Sequence, residues 1–168
     1  MGFRPVSIAD EEYVVATRWQ RVGGAVVDGL ILSAASFALA IAGGFDILGT
    51  IRGSLNGLPT VLDDPPAWFA GALFAIGAAY EIYFIGRFGQ TPGKMVIGTR
   101  VVPVHHAGIP GFPVAGVRWA VPAVAGYLAG TGDGLLFWLT AAVYLPVLFQ
   151  EYGQGVHDMI AKTYVIKN

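Results

Sequence analysis

Residues 21–45 read Arg21-Val-Gly-Gly-Ala-Val-Val-Asp28-Gly-Leu-Ile-Leu-Ser-Ala-Ala-Ser-Phe-Ala-Leu-Ala-Ile-Ala-Gly-Gly-Phe45. From Val22 to Phe45, Asp28 is the single charge. At about 1.5 Å per residue this run makes a helix of roughly 36 Å, longer than the ~30 Å hydrocarbon core of a bilayer. A carboxylate two turns inside such a segment is costly. It therefore faces protein or water, and marks a functional or assembly site.

Composition agrees with a chain in lipid. Over 168 residues, 55% are hydrophobic and 12% charged, against about 25% charged in soluble domains. Mean hydropathy is +0.61. A net charge of −1 offers no basic field for nucleic acid. With no cysteine, disulfides, thiolate metal sites and thiol catalysis are excluded. The polar-leaning start, with Asp10, Glu11 and Glu12 ahead of an overlong apolar run, is unlike a cleaved signal, so the first helix is expected to be retained.

Two further apolar regions lie beyond it. Ala67–Gly86 has Pro65-Pro66 before it, Arg87 after it and Glu81 as its only charge, and Val117–Phe149 is interrupted by Gly130-Thr-Gly-Asp-Gly134. Glycine-rich turn chemistry divides that last run into two short helices. The expected spans are 22–45, 67–86, 117–130 and 134–149, with a loop at 87–116 and a tail at 150–168. Charge sidedness supports four spans. Arg4, Arg18, Arg21, Arg87, Lys94, Arg100, Arg118, Lys162 and Lys167 then share one side, leaving Arg52 on the other; three spans divide them seven to three. Positive residues favour the cytoplasmic face, so both termini are placed inside. The fold expected is an all-α membrane protein: a four-transmembrane-helix bundle with a small cytoplasmic cap, forming one domain over 1–168.

The cap is read from local signals. Thr91-Pro92 is a helix start, a hydroxyl N-cap followed by proline at the first position, for a short interfacial helix to about Ile97. Arg100–His105 and Thr163–Ile166 are β-prone, and His106–Gly108 suits a turn. Two short strands pairing there would tie the tail to the middle loop. Small residues recur every four positions at Ala67, Gly71, Ala75, Ala79 and at Ala25, Gly29, Ser33, a spacing for helix packing within the chain or for a dimer face.

Candidate site residues converge at one depth. Arg21 and Asp28 share a helix face, Glu81 lies near the inner end of the second span, and Arg118 enters the third from the same side. Arg21, Asp28, Glu81 and Arg118 are therefore expected to form an inner-side polar site. It could act as a structural ion lock, a small-cation or proton pathway, or a pocket for an anionic head group. Thr91, Pro92, Gly93 and Lys94 form a second motif that either caps a helix or offers amide donors to a phosphate or head group. It lacks the Walker spacing. His157 and Asp158 come after the last span, where Asp158 is expected to cap a segment or pair with Lys94, Arg100 or Arg118. No nucleophile accompanies them, so an enzyme is not expected. His105, His106 and His157 make a poor metal site, and no motif calls for a cofactor. Trp19, Trp68 and Trp119 near helix ends suit interfacial anchoring in the bilayer.

These stretches also carry a family pattern. Arg21-Val-Gly-Gly-Ala-Val-Val-Asp28 resembles the first-helix signature of the RDD family, bacterial membrane proteins named for one arginine and two aspartates. Gly89-Gln-Thr-Pro-Gly-Lys94 with Gly98-Thr-Arg-Val-Val102 resembles the family's central motif, and His157-Asp158-Met-Ile-Ala-Lys-Thr163 its closing one, with Asp158 as second aspartate. The order holds from Arg18 to Ile166. Met95 and Met159 stand where the pattern has basic residues and Lys162 where it has glycine, departures that weaken the case for a basic cytoplasmic binding surface. The resemblance implies an integral protein of the bacterial plasma (inner) membrane and, for activity, a transport or transport-associated component. The competing expectation is a non-enzymatic subunit or assembly factor with structural ion pairs, acting in a homo-oligomer or beside a membrane protein partner.

Overall fold

The computed structural model describes residues 5–58, 65–129, 138 and 141–168. It is mostly helical, and the chain divides into two compact units: residues 1–28 with 80–168, and residues 29–79. Among the described residues two helices, α1 (Arg18–Ala42) and α3 (Ala67–Phe88), are long and apolar enough to cross a membrane. Much of their apolar surface lies outside the core: Val26, Leu30, Phe37 and Phe74 are all more than half exposed. In water such surface would be costly; lipid accepts it.

The helix limits reflect local chemistry. α1 stops at Gly43-Gly44, where Gly44 has φ +75°, three residues before the apolar run ends. α3 runs two residues beyond the expected span, to Phe88, and is closed by Gly89 through its φ of +70° and its N–H to the Ile85 carbonyl. The short helix α4 (Pro92–Ile97) forms as its sequence requires and ends on Gly98 at φ +71°. α5 (Gly111–Ala129) begins six residues earlier than 117, so Arg118 sits two turns inside it, not at its mouth. Residues 130–137, 139 and 140, covering the glycine-rich break and the first part of the fourth expected span, lie outside the described residues. The chain is helical at 141–144 and then makes a 3₁₀ turn, Leu145–Leu148, containing Pro146. A five-residue helix, α6 (Val156–Ile160), precedes the last strand.

The strands make the fold less purely helical than expected. β3 (Thr99–Pro103) and β4 (Thr163–Lys167) pair antiparallel, Val101 opposite Val165, as the β-prone stretches required. A second hairpin was not anticipated: β1 (Pro5–Ile8) pairs with β2 (Glu11–Val14) across Ala9-Asp10, both at positive φ, the two-residue turn that matches strand twist. The Val15–Ile166 bridge joins this hairpin to β4. Alternation on β3 and β4 then divides the core. Val102 and Ile166 pack with Val6, Ile8 and Val15, while Val101 and Val165 pack with Ala16, Ile85 and Ala115.

In the 29–79 unit, Phe45, Trp68 and Phe69 form an aromatic cluster, and Asp46 caps α2 (Ile47–Leu55) by accepting from Gly49 N at 2.9 Å. The small-residue stripes are not core positions. Ala25, Gly29, Ser33, Ala67, Gly71, Ala75 and Ala79 are all exposed, and a methyl group at Gly29 or Gly71 would meet nothing within 4 Å.

Candidate functional site

Asp28 binds the start of α4. Its Oδ2 accepts from the Thr91 hydroxyl at 2.6 Å, and its Oδ1 from Gly93 N at 2.7 Å and the Tyr80 hydroxyl at 2.7 Å. Lys94 Nζ stands 3.7 Å from Oδ2. Thr91 is also the N-cap, its oxygen accepting from Lys94 N at 3.4 Å. The donor at this helix start is thus taken by a carboxylate of the same chain, not held out to a phosphate. The contact requires glycine at position 93. A Cβ on Gly93 would run into the Gly24 carbonyl and the Asp28 carboxylate, and Gly23 lies under Ile97.

A second carboxylate, Asp158 at the first turn of α6, gathers the arginines. Arg118 Nε donates to its Oδ1 at 2.8 Å, and Arg21 Nη1 to its Oδ2 at 3.0 Å. Gly155 N adds a 3.3 Å bond to Oδ2. Arg118 is buried and extends further, donating from Nη1 to Glu81 Oε1 at 3.0 Å and meeting His157 Nε2 at 3.4 Å. Arg21 reaches the Tyr152 and Val165 carbonyls. One network therefore joins α1, α3, α5, α6 and β4.

These surroundings set the ionisation of the tail residues. Burial would raise the Asp158 carboxyl, but Arg118, with His157 and Arg21, holds it well below the usual carboxylate range. Burial pushes the His157 imidazole down to about 4, against the pull of Asp158. Burial also lowers the Lys94 ammonium, and the nearby Arg118 adds to that.

The network forms one end of a cavity of about 410 Å³. Arg21, Glu81, Lys94, Arg118, His157 and Asp158 line it, and Val22, Pro122, Leu145 and Leu148 supply apolar wall. Among the described residues no group of three or more His, Asp or Glu side chains is placed to hold a metal ion.

The RDD family model matches residues 15–162. The chain belongs to the RDD family. Members are membrane proteins, which accounts for the exposed apolar faces of α1 and α3. No curated protein and no solved structure matches it. In this RDD chain the arginine and the closing aspartate of the pattern, Arg21 and Asp158, touch directly, while the first aspartate, Asp28, fastens the central motif.

The expected four-residue polar site is therefore divided. Arg21, Glu81 and Arg118 come together, but around Asp158; Asp28 joins Thr91, Gly93 and Lys94 instead. The reason is geometric, because α4 lies against Gly23-Gly24 and presents its donors to Asp28 first. Of the partners foreseen for Asp158, Arg118 is the one used; Arg100 lies over the Tyr13 ring. Tyr80 was missed, having no signal beyond its place before Glu81. Thr99 and Tyr144, both on the cavity wall, were missed too.

Proposed function

We propose that this RDD protein is a non-enzymatic, transport-associated component of the bacterial plasma membrane. It crosses four times with both termini inside, and the cavity at Arg21, Glu81, Lys94 and Arg118 is its ligand site. One observation carries the reading: a cavity of about 410 Å³ lined by both ion-paired and apolar side chains, a size and character typical of small-ligand sites. Charged groups among membrane helices ordinarily mark such sites. Against catalysis stands the commitment of Asp158 to two arginines.

A specific feature favours a second reading. Asp158 is fully buried with both oxygens engaged by arginine, the arrangement of a lock that fixes the tail to the helices in a subunit or assembly factor. Proteoliposomes loaded with proton- and sodium-sensitive dyes, together with mass analysis of co-purifying small molecules, separate the two. Flux or a retained ligand that disappears in Glu81→Gln, with folded protein unchanged, supports the ligand site. Neither flux nor ligand, with a stoichiometric protein partner in pull-downs, supports the lock.

A further inference from the structure

The contacts of α4 on α1 fix its depth. A Cβ on Gly93 would strike the Gly24 carbonyl, and Gly93 N and the Thr91 hydroxyl both reach Asp28. The last residue of α4, Ile97, stands against Gly23. Gly23, Gly24 and Asp28 all belong to the apolar run that follows Arg21. At helical rise, α4 therefore lies roughly 3–10 Å beyond Arg21 along α1, beside that run over its whole length.

The helix is turned the wrong way for an aqueous surface. In water a short surface helix holds its charge outward and lays its apolar residues on the protein. In α4 the single charge, Lys94, points inward to Asp28 with its side chain 17% exposed. Met95 and Val96 face outward, 43% and 71% exposed.

The backbone of α4 is equipped for the same surroundings. The first amide donors of a helix lack intrahelical partners, and on a wet surface the solvent can serve them. Here the first position is Pro92, which has no donor. Gly93 N donates to Asp28, Lys94 N to the Thr91 hydroxyl oxygen and Met95 N to the Thr91 carbonyl. At the other end Gly98 N returns to the Lys94 and Met95 carbonyls, and Asn168 N takes the Gly98 carbonyl. Backbone placed in lipid must satisfy its polar groups within the protein, because each one left open is costly there.

The geometry points to α4 as a membrane-embedded helix whose outer face, Met95 and Val96, packs against acyl chains of the inner leaflet. Val22 and Val26 are exposed on α1 at the same depth. The inference rests on the reading above that α1 crosses the bilayer with its Arg21 end inside. It makes this part of the middle loop a piece of the membrane body, and gives the Met95–Val96 face a lipid partner.

The chain has no cysteine, so a single introduced cysteine reports one place. Val96→Cys is compared with Val26→Cys, at the same depth on α1, and with Glu12→Cys, exposed on β2. All three side chains are exposed, so folded yield should be unchanged. Each full-length variant is labelled with bimane and reconstituted in vesicles of phosphatidylcholine and phosphatidylglycerol. The quenchers are iodide on both sides of the bilayer and phosphatidylcholine brominated along its acyl chains. The Val96 probe should match the Val26 probe: blue-shifted, quenched by the brominated lipid and untouched by iodide. The Glu12 probe should behave in the opposite way. Weaker quenching by brominated lipid at Val96 than at Val26, or stronger quenching by iodide, would overturn the embedding of α4 while leaving the crossing of α1 in place. Iodide quenching at Val26 as strong as at Glu12 would remove the crossing, and the inference with it.

Discussion

The Thr91 hydroxyl donates to Asp28 Oδ2 at 2.6 Å while its oxygen caps Lys94 N. A single side chain thus closes the start of α4 and fastens that helix to α1, across 63 residues of sequence. The bond converts an intramembrane carboxylate, otherwise a liability, into the anchor of the middle loop.

Replacing Asp28 tests that role. Asp28→Ala leaves Thr91, Gly93 N and Tyr80 without their acceptor and should destabilise the protein by about 3–5 kcal/mol, the cost of an unmatched buried site. Asp28→Asn keeps an oxygen for two of the three donors and should lose less than half of that. Thermal unfolding in detergent gives the order; equal losses in the two variants would remove the hydrogen-bond account.

Gly93 makes a steric prediction. Gly93→Ala forces a Cβ against the Gly24 carbonyl, so α4 must lift from α1 and break the Gly93–Asp28 bond. Folded yield should fall several-fold. Gly116→Ala in α5 meets nothing within 4 Å and should be neutral or slightly stabilising, as alanine is in helices. Fluorescence-detected size exclusion of the two variants makes the comparison.

How much of this was legible depends on how local each signal is. Thr91-Pro92 and the β-branched runs at 100–105 and 163–166 state their structures within a few residues, so α4, β3 and β4 could be read directly. β1 and β2 could not. Val6 and Ile8 alternate too briefly among charges, and the hairpin is held by packing against β4. The start of α5 was hidden by Pro110 and Pro113. The site was half legible: depth along a helix placed Arg21, Asp28, Glu81 and Arg118 in one layer, but partner choice depends on which backbone crosses which. The Gly23-Gly24 pair was the sign of that crossing, and reads as such only once α4 is seen upon it.

Arg118 should be the costliest single loss in the second network. Arg118→Leu removes a partner from Glu81 and leaves the fully buried Asp158 with Arg21 as its remaining arginine, so the loss should approach that of a broken buried pair, about 3–5 kcal/mol. Asp158→Asn should then cost less in the Arg118→Leu background than in the parent, because one of the two arginines that favour its charge has already been removed. A strictly additive double variant, by denaturant or thermal unfolding, would mean that the two residues do not act as a pair.

His157 gives a pH window. Its folded value is pushed down from 6.5 to about 4 by burial, so on acidification the unfolded chain takes up the proton first. The contribution of the neutral ring is complete above pH 6.5 and is lost as pH falls through about 4, amounting to about 3 kcal/mol at 1.36 kcal/mol per unit. Asp158 also loses its contribution on acidification, but that loss sets in as pH approaches the unfolded carboxyl value of 3.8 and continues well below it, because the folded carboxyl is held below the usual range. Thermal midpoints should therefore decline between pH 6.5 and 4, and His157→Gln should flatten that decline while leaving the steeper fall below it. A decline of the same slope in His157→Gln would assign the window to other groups and detach His157 from the network.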